Sequence, residues 1–405
     1  MRYQANAQQW SVNDLRQLTQ INYGRDARPI LDPYGAYPVY GTAENNRYGT
    51  SYLYDGESIV LGRKGTIDRV QFVSGPFWTI DTAYFLSKFS ACEPKWLYYV
   101  LSSIDLRGLN EATGVPSLAR EVLYRLSVLT PSQPEQSKIA EVLSTVDRAI
   151  AQTEALIAKQ QRIKTGLMQD LLTLGIDERG QLRTEATHAF KDSPLGRIPV
   201  EWEMAKLGDV AELNRGKFTH RPRDDARFYG GAYPFIQTGD VAANVGRWVN
   251  DFSQTLSIMG MHVSKEFPKG TIAITIAANI ADTAILGRSM YFPDSVVGAV
   301  VKQPNSIRFI EMTIRSKKTA LEQLAPKSAQ SNINLETLRP LVISLPKPDE
   351  QARIASAYEA DDDRQVSNER SLRKLRHLKT ALMQDLLTGK VRVTPLLQPA
   401  KEATA

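Results

Sequence analysis

A stretch near the middle of this chain returns near its end at a fixed offset. PSQPEQSKIAEVLSTVD at 131–147 reappears as PKPDEQARIASAYEADD at 346–362, and KTGLMQDLLT at 164–173 as KTALMQDLLT at 379–388. Both pairs are 215 residues apart with no gap, and 17 of the 43 positions from 131 to 173 are identical. A duplication of this kind says that one supersecondary unit is used twice, so the fold is built from two related halves. At 405 residues the chain is also too long for one ordinary core.

The duplicated segments read as long helices. Pro134 and Asp349 stand near their starts, followed by Glu and Gln, which suit a helix N-terminus. Apolar residues then recur at alternating spacings of four and three: Ile139, Leu143, Val146 and Ile150, continuing to Ile157, Leu167 and Leu171. The second copy places Ile354, Tyr358, Leu372, Leu375, Leu382 and Leu386 on the same seam, the pattern of a coiled coil. Asp361, Gln365 and Asn368 interrupt it where the first copy has Val146, Ile150 and Thr153. Gly175 and Gly389 are the expected stops. A helix of about 39 residues is about 58 Å long, and the two are expected to pair antiparallel. Arg162, Lys164, Arg376 and Lys379 read as a solvated or protein-docking face.

Weaker echoes lie upstream of each helix. Trp10/Leu15 returns as Trp202/Leu207, Tyr37-Pro38-Val39 as Tyr233-Pro234-Phe235, and GESIVLGRKGTID (56–68) aligns with GTIAITIAANIAD (270–282). The expected layout is a first module at 1–130, a helix at 131–175, a polar connector at 176–200, a second module at 201–345, a helix at 346–389 and a loose tail at 390–405. TIAITIAANIADTAIL (271–286) is too short and too interrupted for a membrane helix and reads as two buried strands around a turn. The N-terminus has no apolar run of a signal peptide. Cys92 is the one cysteine, which excludes a disulfide framework within the chain and points to a reducing, cytoplasmic setting.

Together the EQ-headed helices ending in LMQDLLT, the connector THAFKDSPLGRIPVEWE and the two divergent modules resemble the DNA-specificity (S) subunit of type I restriction-modification systems. SAQSNINLETLRPLVISLPKPDEQ resembles the family's lead into its helix; GVPSLAREVLYRL departs from it in the first copy. The resemblance implies an α+β fold: two mixed α/β target recognition domains separated by two long helices forming an antiparallel intramolecular coiled coil, with a pseudo-twofold repeat. It further implies a non-catalytic subunit that reads a bipartite site on double-stranded DNA. Implied partners are two modification (methyltransferase) subunits and ATP-dependent motor nuclease subunits for restriction. S-adenosylmethionine, ATP and Mg would belong to those partners, with no cofactor in this chain.

The residues themselves show no adenine-methylation motif and no phosphate-binding loop, and His188, His220, His262 and His377 lack metal-ligand spacing. An enzyme cut from a fused nuclease-methyltransferase and a coiled-coil adaptor without sequence preference are the competing readings. The net charge of +6 suits a polyanion. Contact with DNA needs cations for phosphate and planar donors for base edges. The candidates are Arg215, Lys217, His220, Arg221 and Arg223 in a Gly/Pro-rich loop, Gln237 and Thr238 just after it with Asp240 as a reader or a turn brace, Asn45, Asn46 and Arg47 after a strand, Arg63 and Lys64 in a Gly-flanked turn, and Lys327 and Gln330 before the second helix. A solvated loop is the alternative for each. Pro293-Asp294 reads as a surface turn, and Tyr98 and Tyr99 as core.

Overall fold

The computed structural model describes residues 10–42, 47–110, 112–277, 279–324 and 332–397. The chain divides into two compact units, residues 1–156 with 368–405, and residues 157–367. Each unit holds one β-rich module and half of each long helix.

In the first unit, strands Ser11–Asp14 and Ser127–Thr130 pair antiparallel and close the module on itself. One four-stranded sheet runs in the spatial order Gln20–Tyr23, Ala83–Ser87, Ser58–Gly62, Val70–Val73. SIVLG and AYFLS are buried at every position, as central strands covered on both faces must be. A second sheet contains Arg47–Gly49, Tyr37–Tyr40, Pro76–Thr79 and Tyr54–Asp55, with Val39 and Trp78 in parallel register. The helix Pro94–Ser103 puts Trp96, Leu97 and Tyr99 into the core, so Tyr99 is core as the sequence suggests.

The second unit repeats this plan. Glu203–Lys206 pairs with Val342–Leu345. Ala211–Arg215, Val296–Val301, Ile272–Thr275, Thr283–Leu286 and Trp248–Val249 form a five-stranded sheet. The apolar stretch 271–286 is indeed two buried antiparallel strands. Tyr229–Phe235 again pairs in parallel, here with Met290–Tyr291, so the Tyr-Pro echo marks equivalent strands. Ile307–Ser316 takes the place of Pro94–Ser103.

The long helices are Gln133–Thr173 and Pro348–Leu387, 41 and 40 residues. They run antiparallel within each unit: Asp147 meets Lys379 and Glu154 meets Arg376 in the first, while Gln161 meets Gln365 and Lys164 meets Asp362 in the second. Asp147 and Asp362 are repeat equivalents, as are Lys164 and Lys379. One pair of repeat positions therefore makes the same ion pair twice, which is what isologous pairing of two copies produces. Lys164 and Lys379 thus depart from the expected solvated or protein-docking face, each being paired within the chain. The Lys164 side chain is 10% exposed and held by Asp362. Arg376 remains exposed on Glu154, and Arg162 is exposed beside the Ala158 carbonyl. Gln365, a polar gap in the seam, is buried and donates to Gln161 across the pair at 2.9 Å.

The seam residues divide by position. Ile139, Leu143, Val146, Leu171, Ile354, Tyr358 and Leu386 are buried. Ile150, Ile157, Leu167, Leu372, Leu375 and Leu382 are half-buried. Ile139, Leu143 and Leu386 pack into the first module's core, and Leu171, Ile354 and Tyr358 into the second's. The ends of the seam therefore serve the modules as well as the helix pair.

The Glu-Gln head of each helix does a defined job. Gln136 donates to the Pro131 and Ala91 carbonyls and accepts from the Glu93 amide at the start of the short helix. Gln351 donates to the Pro346 carbonyl and accepts from the Ser306 amide, likewise at a helix start. Glu135 accepts from Arg392, Ser132 and the Trp10 indole. Glu350 accepts from Arg183 and the Ile176 amide. In both units the arginine comes from the segment after the other helix, eight residues past Gly175 or three past Gly389, each glycine in the left-handed region. A Cβ on Gly175 would collide with the Trp202 ring and the Glu350 carboxylate, so the stop is also a packing requirement.

Two expectations change here. The connector is not a bare linker: Ile176, Arg183 and Ile198 are buried, and Phe190–Ser193 pairs with Gly196–Pro199. The tail is held at its start, with Val393 in the core and Arg392 on Glu135, and residues 394–397 are exposed. Burying an apolar residue and satisfying a buried carboxylate outweigh the ordering entropy of so short a segment.

Candidate nucleic-acid interface

In the second module, strand Ala211–Arg215 runs into a loop anchored by Phe218. Phe218 is buried among Phe228, Phe235, Leu256 and Tyr291, and the Gly216 and Lys217 amides donate to Val296 and Phe292. The polar residues follow from that anchor. His220 stacks on Phe228, ring centroids 3.9 Å apart, and meets Asp225 at 3.2 Å. Arg221 donates to the Phe218 and His220 carbonyls. Asp294 gathers the cations: its carboxylate receives Arg223 and lies 3.7 Å from Arg221, and its backbone oxygen receives Arg215. Arg215, Lys217, Arg221 and Arg223 are all exposed, so their remaining donors face solvent. Pro293-Asp294 is not the expected surface turn: Pro293 is buried and Asp294 half-buried, and Asp294 is the brace of the basic loop. Asp225 is held well below the usual carboxylate range by the Arg227 guanidinium and amide, so it stays charged beside His220.

Beside this loop lies a groove of about 440 Å³ lined in part by Phe218, Arg223, Tyr229, Gln237 and Gln254. Gln237 donates to Gln254 at 2.9 Å. Asp240 accepts from the Gln237 amide and from Ser253, both at 2.7 Å. Asp240 is therefore a turn brace, and Thr238 is half-buried at the start of the short helix Thr238–Ala243. The structure brings Arg223 and Gln237 to one groove, and Gln254 joins them unannounced by the sequence.

In the first module the candidates sit apart. Asn45 and Asn46 lie outside the described residues, as do Lys327 and Gln330 of the second module. Arg47 is half-buried in strand Arg47–Gly49, and its Nε is shielded from solvent with no protein acceptor. Arg63 donates to the Asp81 carbonyl and lies 5.0 Å over the Tyr23 ring. Lys64 is exposed, bridged through its backbone to Ser117. The strand pairing carries Tyr23, Arg25 and Arg120 to the same side as Arg63, none of which stands out in the sequence.

Among the described residues no group of three or more His, Cys, Asp and Glu could hold a metal ion. Burial pushes the Cys92 thiol up to about 12, so it stays protonated. No helix among the described residues is long and apolar enough to cross a membrane.

A family model described as the type I restriction modification DNA specificity domain matches residues 8–162 and 199–375. The chain is similar to the type I restriction enzyme MjaVIII specificity subunit of Methanocaldococcus jannaschii, 24% identical over 366 residues spanning 85% of this chain and 79% of that protein. It is also similar to the EcoDI specificity subunit of Escherichia coli, 22% identical over 223 residues, half of this chain and 49% of that one. Among solved structures, the type I system S subunit from M. genitalium aligns over 95% of this chain and 98% of its own with a TM-score of 0.66 at 14% identity. A structure described as the basis of complex assembly and conformational transition of the type I R-M system aligns with a TM-score of 0.56 at 15% identity, covering 94% and 98%. At such identities the structural likeness establishes the fold.

Proposed function

This chain belongs to the type I restriction-modification DNA specificity family, and from that premise we propose how its parts share the work. It is the non-catalytic DNA-specificity subunit of such a system. Each β-rich module reads one half of a split duplex site, the first through residues within 1–130 and the second through residues within 201–345. Arg215, Lys217, Arg221 and Arg223 face the DNA in the second module, with Gln237 at the groove beside them; Arg63 and Lys64 do so in the first. The long helices dock two modification subunits, which bring S-adenosylmethionine, and the complete complex adds the ATP- and Mg-dependent motor nuclease.

The observation that carries this reading is the contrast between equal frames and unequal faces. The same Lys–Asp pair and the same Glu–Arg clasp occur in both units, whereas the polar loops share neither residues nor partners. A shared frame suits a shared docking task, and divergent loops suit different half-sites.

Exchanging residues 201–345 for the second module of a relative, followed by methylated-adenine mapping in cells that also express the modification subunit, tests it. One half-site is expected to change while the other and the spacer, roughly 10 base pairs centre to centre for modules on one face of B-DNA, stay the same. A swap that rewrites both half-sites removes the independent-reader model.

A further inference from the structure

The first module carries an arginine cluster for which the sequence offers no motif. Backbone pairing assembles it. The strand Gln20–Tyr23 aligns Tyr23 with Tyr84. The Arg63 amide binds the Thr82 carbonyl and its own carbonyl receives the Leu118 amide. The helix Arg120–Tyr124 begins two residues later. Its Tyr124 hydroxyl reaches the Ile21 amide at 2.9 Å, so helix and edge strand are tied together. As a result the Arg120 guanidinium lies 4.9 Å over the Tyr23 ring, and Arg63 lies 5.0 Å over the same ring. Tyr23 stays 45% exposed between them.

Next to this ring is a groove of about 250 Å³ whose lining includes Gln20, Asn22, Tyr23, Arg25 and Arg120. Among the described residues no carboxylate lines it. The nearby Glu121 is engaged by Arg16, and the contact of Arg63 with Asp81 is to the backbone oxygen. The Arg120 Nε is shielded from solvent, so only the terminal N–H groups of this guanidinium can meet a ligand. Stacking holds a guanidinium in place by its face and leaves the N–H edge free. A carboxylate partner, by contrast, consumes that edge. Guanidinium N–H groups held in place in this way match phosphate oxygens, and a ring already covered by cations is poorly placed to stack a base.

We propose that the Tyr23-centred cluster of Arg25, Arg63 and Arg120 holds DNA backbone phosphates and orients the first module on its half-site. This rests on the reading of the chain as a DNA-specificity subunit. The contacts are sequence-independent: they fix position while other residues read bases.

The test uses the full chain in its assembled complex and three duplexes: the mapped target, the target with the first module's half-site scrambled, and one with both half-sites scrambled. Arg25→Gln and Arg120→Gln, singly and together, are titrated across a salt series. Each substitution is expected to weaken binding to all three duplexes and to make the slope of log affinity against log salt shallower by about 0.9 per lost phosphate contact. Arg25→Lys and Arg120→Lys keep the charge and are expected to retain the wild-type slope, which separates lost contact from lost folding. Unchanged affinity and slope in the Gln double variant overturns the proposal. So does a loss confined to the mapped target, or Lys variants that fall as far as the Gln variants. A wild-type protein that binds all three duplexes equally would instead sink the specificity reading itself.

Discussion

The two modules share a sheet plan and differ in how they hold their cations. In the second, Arg221 and Arg223 meet the Asp294 carboxylate; in the first, Arg63 and Arg120 lie over Tyr23 with no carboxylate among the described residues of the adjoining groove. The same contrast does not extend to the frame, where both units use one Lys–Asp pair and one Glu–Arg clasp. In the helix pair the duplicated Lys of each copy meets the duplicated Asp of the other, so both positions are held to the same chemistry. Loop residues that face outward carry no such reciprocal constraint, and their pairing chemistry has diverged.

The largest expected effects break the likeness of the two frames. Arg183 and Glu350 are each 6% exposed, whereas Arg392 is 25% exposed on its equally buried Glu135. Removing one partner of a buried pair leaves an uncompensated charge, so Arg183→Ala is expected to cost about 3–5 kcal/mol. Arg392→Ala, with water able to reach the carboxylate, is expected to cost about half as much. Urea unfolding of the full chain, fitted for two transitions, checks which unit each change weakens. Acid sharpens the result. Burial alone would raise Glu135, but its bonds to Arg392 and Ser132 outweigh that and hold it below the ordinary 4.5. A carboxylate depressed in the folded state stabilises above its unfolded pKa and loses that contribution as pH falls through the folded one. The stability gap between wild type and Arg392→Ala should therefore be full at pH 6 and close progressively below about pH 4.5. A gap independent of pH would mean that Arg392 acts through packing on Trp10 instead of through the charge.

A smaller asymmetry is expected between the two Lys–Asp pairs. The Lys164 and Asp362 side chains are 10% and 14% exposed, Lys379 and Asp147 27% and 30%. Lys164→Ala is expected to cost about 3 kcal/mol and Lys379→Ala about 1 kcal/mol, read from the same unfolding curves with the second less affected at high salt. Equal losses would show that the helix pair feels both sites alike despite their burial.

The smallest expected effects concern the second module's face. If Arg221 and Arg223 hold phosphate as proposed, Asp294→Asn removes a competing carboxylate, so non-specific DNA affinity should rise by about threefold at low salt and the salt slope should steepen. Arg221→Ala combined with Arg223→Ala should do the reverse, making the slope shallower by about one per phosphate contact. If one arginine grips a guanine edge, binding to the target alone should fall by about 1–3 kcal/mol. A double variant with wild-type affinity and slope would leave this loop solvated and place the module's contacts elsewhere.

The sequence was most informative where interactions are local or repeated. A 3.5-residue period over many turns specifies a helix before any partner is known, and the 215-residue offset marks both helices. The Trp, Tyr-Pro and strand–turn–strand echoes locate equivalent strands because a buried strand needs the same apolar run in each copy. The basic loop at 215–223 was visible as composition. Its organisation was not: Asp294 follows Arg223 by 71 residues, and no spacing rule links them. Lys164 and Lys379 looked solvated because a charge on a helix usually is; only the antiparallel register puts an aspartate opposite each.

The sequence by itself determined the duplication, the two long helices and a few matching strands in each module, since periodicity and apolar runs are properties of neighbouring residues. Tertiary structure alone decided which charges meet. Sheet register carries Tyr23 to Arg63 and Arg120, nearly a hundred residues further along, and the antiparallel helix pair brings Lys164 to Asp362. A charge interacts with whatever lies within a few ångströms of it in space, and the chain fixes that neighbourhood only once its sheets and helices have closed.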